Sequence, residues 1–103
     1  MDVSPDSEQS QLELVIQARR AAARGEWKEA ERNLVAARDH RLDNPIVLAW
    51  LAWVRVNRLA DQAGKADRRE ILAWVDLATT IAPHDPDILR LAGLVRQRIS
   101  SLS

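Results

Sequence analysis

Chemistry in this chain would have to come from its carboxylates, its two histidines and its arginines, because it contains no cysteine at all. That absence removes thiolate nucleophiles, disulfides and cysteine-ligated zinc together. Glu26 and Glu29 are three residues apart and share a helix face, the arrangement an acid/base pair would need. Such a face is solvated, however, and nothing near them in sequence would raise a carboxyl pKa. His40 and His84 stand at segment ends beside Asp39 and Asp85, outside any HxxxH or HxxE spacing, so no metal site is expected. Three glycines are too scattered for a phosphate loop. The chain is therefore not expected to be an enzyme, and no cofactor is expected.

The elements that position these residues read as helices throughout, with no alternating segment that would make a strand. The expected fold class is all-α. Ser10-Gln11-Leu12-Glu13 has the form of a capping box opening a helix that runs to Arg24. Gly25 suits the left-handed turn that closes it. A second helix spans Glu26 to Arg41, with Trp27, Ala30, Leu34 and Ala37 on one face. Asn44 and Pro45 are an N-cap and a first helical residue, and from Ile46 to Val56 the third helix is apolar on nearly every side, as a central helix is. Gly64 is expected to close it. Asp67-Arg68-Arg69-Glu70 resembles a second capping box for a fourth helix reaching Ala82, and Asp85-Pro86 opens a fifth that ends near Ile99. Segments 1–9 and 100–103 are expected to be flexible ends.

With 103 residues the chain is sized for one domain. Its fifteen basic and fifteen acidic residues are interspersed, which makes nucleic acid an unexpected partner. The longest apolar run, Ile46 to Val54, falls well short of the ~20 residues that cross a bilayer, so no membrane span is expected. The first residues have neither a basic start nor an apolar run, so they do not read as a secretory signal and the expected location is cytoplasmic.

Spacing adds a higher level of order. Ala18, Gly25, Trp27, Ala30, Leu34 and Ala37 lie at the separations used by the tetratricopeptide repeat, and Gln11 to Asn44 spans thirty-four residues, one such repeat. A second copy, 45–85, resembles it through Leu48, Leu51, Ala52, Ile71, Val75, Ala78 and Pro83. Leu89, Ala92 and Gly93 resemble the start of a third that stops after a capping helix, 86–99. Departures are Gln17, Leu42 and Ile71 at positions where the family prefers leucine, proline and alanine. The second copy also carries seven extra residues near 59–66, with Ala66 and Arg68 replacing the turn glycine and the aromatic.

The resemblance implies a short α-solenoid of two repeats and a cap, acting as an adaptor or scaffold. Its concave face would be lined by the first helix of each repeat. Matching positions are Arg19 and Ala22 on the first helix; Ile46, Ala49, Trp50, Trp53, Val56 and Asn57 on the third; and Arg90, Leu94 and Arg98 on the fifth. The implied partner is a peptide or helix of another protein, amphipathic with acidic residues. The family's chaperone-tail clamp is not reproduced, because Val15, Arg19, Trp50, Asp87 and Leu91 occupy its places. Two alternatives stay open: a structural module that forms a homo-oligomer through its apolar surface, and a small bacterial chaperone of secretion substrates, a class also built from these repeats. Trp50 and Trp53 suit core packing as well as partner contact, and Trp74 either covers the insertion or meets another subunit.

Overall fold

Proline has no N–H to leave unpaired, so it opens helices at no cost, and in the computed structural model, which describes residues 5–102, Pro45 and Pro86 each open one. The helices are α1 (Pro5–Ala23), α2 (Trp27–His40), α3 (Pro45–Leu59), α4 (Lys65–Ile81) and α5 (Pro86–Ser101), with a 3-10 turn at Ala60–Gln62. No strand occurs among the described residues. Asn44 caps α3 by accepting the Ile46 N–H at 3.0 Å, and Asp85 caps α5 by accepting those of Asp87 and Ile88 at 2.9 and 3.2 Å. Gly25 closes α1 at φ +76°, with the Glu26 N–H reaching Ala21 C=O and the Gly25 N–H reaching Ala22 C=O. This pair of bonds satisfies the carbonyls that a helix end leaves open.

Several expected boundaries move. The first helix already includes 5–9, so Ser10 lies inside it and caps nothing; residues 1–4 are outside the described part. Gly64 does not close α3, which ends at Leu59; it is the N-cap residue of α4. Asp67 is correspondingly not a cap but the third helical residue, and its carboxylate reaches back to accept the Gly64 N–H at 3.0 Å. The fifth helix continues to Ser101, and Leu102 packs against the cluster formed by Ala52, Val56, Ile71, Val75, Ala92 and Val95. Burying Leu102 gives the expected flexible end a reason to stay helical.

The seven extra residues of the second copy are shared among three places. Relative to the segment from Gln11, α3 is longer by two residues, the turn at 60–64 by two and α4 by three. That turn passes through Ala60 at φ +46°, a conformation in which a Cβ is strained. Arg68, which stands where the repeat has an aromatic, ties the turn down: its Nε donates to Ala63 C=O at 3.2 Å, and another guanidinium nitrogen donates to Leu102 C=O at 3.4 Å.

Packing centres on α3, which touches α1, α2, α4 and α5 and buries seven apolar residues. One cluster joins it to α1 and α2 through Ala18, Ala30, Leu34, Val47 and Leu51; two more join it to α4 and α5 through Ala52, Val56, Ile71, Val75, Ala92 and Leu48, Ala78, Ile88. The backbones of α2 and α4 do not approach each other. Trp74 of α4 fills the space between them, packing on all three clusters between the guanidinium carbons of Arg38 and Arg55, 5.7 and 5.1 Å from its ring centre.

Candidate functional site

The side of the molecule formed by α1, α3 and α5 carries a line of depressions. Near the start of α3 the lining is Leu12, Val15 and Ile46; at the middle it is Arg19, Trp50, Asp87 and Arg90; toward the end of α5 it is Trp53, Leu94, Gln97 and Arg98. A side branch of about 450 Å³ runs between Ile16, Arg20, Ala23 and Trp50. Helical periodicity puts these residues together: Ile46, Trp50 and Trp53 recur at four and three along α3, and Arg90, Leu94 and Arg98 at four along α5.

Of the residues expected to meet a partner, Arg19, Ile46, Arg90 and Leu94 are exposed, and Trp50, Trp53, Asn57, Arg98 and Ala22 are half-buried. Ala49 and Val56 must be removed from the set. They are 1% and 0% exposed and belong to the core, because α3 is enclosed on so many sides that only a narrow stripe reaches the surface. Asn57 is partly committed as well, since its side-chain amide donates to Trp53 C=O at 2.8 Å. Trp53 packs on two core clusters, and Trp50 stacks under Arg19, whose guanidinium carbon lies 5.2 Å from the ring centre.

Charge is unevenly distributed along this trough. Among the described residues Arg19, Arg20, Arg90 and Arg98 form no ion pair, and Asp87 is the one carboxylate among those lining it. Elsewhere Arg24, Arg41, Arg55, Arg58 and Arg96 pair with carboxylates, while exposed Arg32 and Arg69 do not. Glu31 of α2 pairs with both Arg55 and Arg58 of α3, and Arg55 also reaches Glu70 of α4 at 3.3 Å. The Glu31, Arg55 and Arg58 side chains are mostly buried, so this network joins three helices behind the trough. Sequence reading had no access to it, because its members are paired across fifteen or more residues.

A polar node ties α1 to the end of α2 and the start of α3. Buried Gln11 donates its side-chain amide to Ala37 C=O at 2.9 Å and Arg41 C=O at 3.3 Å, two carbonyls at the end of α2. Its own oxygen accepts from the Asn44 amide at 3.0 Å, so the residue that caps α3 also holds α1. A wider depression, about 640 Å³, lies elsewhere, around Gly25, Trp27, Arg32 and Arg58. It is a shallow bowl, and the Glu26 and Glu29 carboxylates at its rim are occupied by Arg24. The hydrogen bond and charge of Arg24 hold the Glu26 carboxyl below its ordinary pKa.

His40 and His84 are exposed at the end of α2 and in the turn before α5, and among the described residues no three His, Cys, Asp or Glu side chains gather into a cation site. No described helix is long and apolar enough to cross a membrane. Comparison of the chain with protein-family models, curated proteins and solved structures returned no match.

Proposed function

We propose that this chain is a protein-interaction module, a short tetratricopeptide-like stack that holds an amphipathic, acidic segment of another protein in the trough between α1, α3 and α5. The observation that carries this reading is the set of four arginines without carboxylate partners around half-exposed Trp50 and Trp53. In a chain whose charges balance, cations left unpaired beside an apolar stripe are complementary to carboxylates on an apolar ligand. Trp53 would supply area, while Arg19 and Arg90 would fix register.

The test uses Arg19→Glu combined with Arg90→Glu, since both residues are exposed and neither pairs with a carboxylate. Affinity capture from the native cell with quantitative mass spectrometry should lose the proteins that wild type retains, while far-UV circular dichroism is unchanged. Equal capture by both forms refutes the reading. Trp53→Ala is a poorer probe, because Trp53 also supports two core clusters.

A further inference from the structure

A segment lying in the trough must satisfy its own backbone as well as its charges. An extended chain turns successive N–H groups to opposite sides, so half of them would face α1 and half α5. From α1 the trough is lined by Leu12, Val15, Ile16, Arg19, Arg20 and Ala23, and none of these side chains accepts a hydrogen bond. Ile46, Trp50 and Trp53 of α3 offer no acceptor either. Gln11 and Asn44 at its start are already spent: the Gln11 oxygen accepts from the Asn44 amide, and the Asn44 oxygen accepts the Ile46 N–H. Among the described lining residues the acceptors still open are Asp87, Gln97 and the Ser101 hydroxyl, and all three belong to α5. Carbonyls in the interior of the three helices are bonded along their own axes. An extended ligand would therefore leave its α1-facing N–H groups unmade.

Charge adds a spacing. Arg19 and Arg20 stand on the α1 wall, Arg90 and Arg98 stand about two turns apart on the α5 wall, and Ile46, Trp50 and Trp53 run about one turn apart between them. A helix closes its own backbone bonds, and it meets this pattern with apolar residues at i, i+4 and i+7 and carboxylates on both flanks. We infer that the occupant of the trough is an α-helix of a partner protein and not an extended peptide. It is about three turns long, apolar along one stripe, with carboxylates on each side of that stripe to meet the two arginine walls. This deepens the interaction function proposed above and rests on it. Two troughs placed face to face would bring Arg19 and Arg90 against their own copies, so a second copy is the wrong occupant.

The probes are synthetic fourteen-residue peptides built from three leucines, four glutamates and alanine. One has leucine at positions three, seven and ten and glutamate at four, six, eleven and thirteen, and is made both free and with a helix-locking crosslink between eight and twelve, on its outer face. The other alternates leucine with glutamate, so its apolar stripe forms only in an extended chain. Each is titrated into the ¹⁵N-labelled protein. The locked helix should give saturable amide shifts at Arg19, Trp50, Arg90 and Leu94. It should bind about tenfold tighter than its free form, because ordering a short helix costs affinity, and the alternating peptide should bind at least about tenfold more weakly than the locked one. Arg19→Glu with Arg90→Glu should weaken the locked helix about tenfold. Equal or tighter binding of the alternating peptide at the same amides overturns the helix and leaves the trough standing as an interaction site. Shifts from neither peptide, or shifts only outside the trough, overturn both readings. A dimer that the locked helix dissolves makes the occupant a second copy and overturns the inference.

Discussion

Replacing Gln11 by alanine tests whether a polar node, rather than apolar area, orients α1 against α3. The side chain is 6% exposed and makes three hydrogen bonds. The 2.9 Å bond to Ala37 C=O is the costly one to lose, since that carbonyl is buried and the Arg41 N–H bonds Arg38 C=O instead. Leaving a buried acceptor unmade costs about 1–3 kcal/mol, whereas Arg41 C=O and the Asn44 amide are near enough to solvent to recover most of theirs in water. The expected destabilisation is about 2–3 kcal/mol. Urea unfolding followed by tryptophan fluorescence should show it as a lower midpoint at unchanged slope, and heating as a Tm lower by roughly 10 °C. Gln11→Glu adds a sign. It keeps the acceptor for Asn44 but turns a carboxylate toward two carbonyls, so its pKa in the folded state rises above its unfolded value. Its excess cost should be complete at neutral pH and relieved as pH falls through that raised value. A loss below 0.5 kcal/mol for Gln11→Ala, or a pH-independent Gln11→Glu, would falsify this account of the node.

Further outcomes follow from local geometry. Ala60→Gly should stabilise the fold by about 1 kcal/mol because it releases the positive-φ strain, whereas Gly25→Ala should cost about that much with no clash, the space around it being open; thermal unfolding of both variants checks the pair. Glu31→Gln should cost about 2 kcal/mol, since it leaves Arg55 and Arg58 short of a shared counter-charge, and the loss should persist in high salt because the group is largely enclosed. Glu26 and Asp43 should titrate below the ordinary carboxyl range, held there by hydrogen bonds from Arg24 and Arg41. Any stability they give is present above their unfolded pKa values and lost as pH falls through the lower folded ones. Carboxyl-resolved NMR titration, with Arg24→Ala returning Glu26 to normal, is the measurement.

Local signals in the sequence carried much of this architecture. Asn44-Pro45, Asp85-Pro86 and Gly25 each act within a few residues of themselves, so their chemistry specifies a helix end wherever it occurs. The capping-box pattern misled because a serine or aspartate followed by glutamate also fits a helix interior. Ser10 is carried past by α1, and Asp67 serves the cap from three residues inside α4. The exposed part of the trough, Arg19, Ile46, Arg90 and Leu94, follows from helical period. Ala49 and Val56 do not separate from Trp50 and Trp53 until the neighbours of α3 are known. Gln11 and the Glu31 network lay beyond reach for a related reason. A polar residue joining helices bonds to groups 15–33 positions away, and nothing local marks which glutamine or arginine will be enclosed.

Trp74 makes the link between α2 and α4 a side chain instead of a backbone seam. A wedge of that kind works like a shim in a hinge: its thickness sets how far the α1–α2 pair can rotate about α3, and so how wide the opposite side stands open. Trp74→Phe, which removes ring area while both arginines remain, should narrow the gap on one side and spread Arg19 from Arg90 on the other. Spin labels at Gln17 and Gln97 would report that movement as a changed distance distribution.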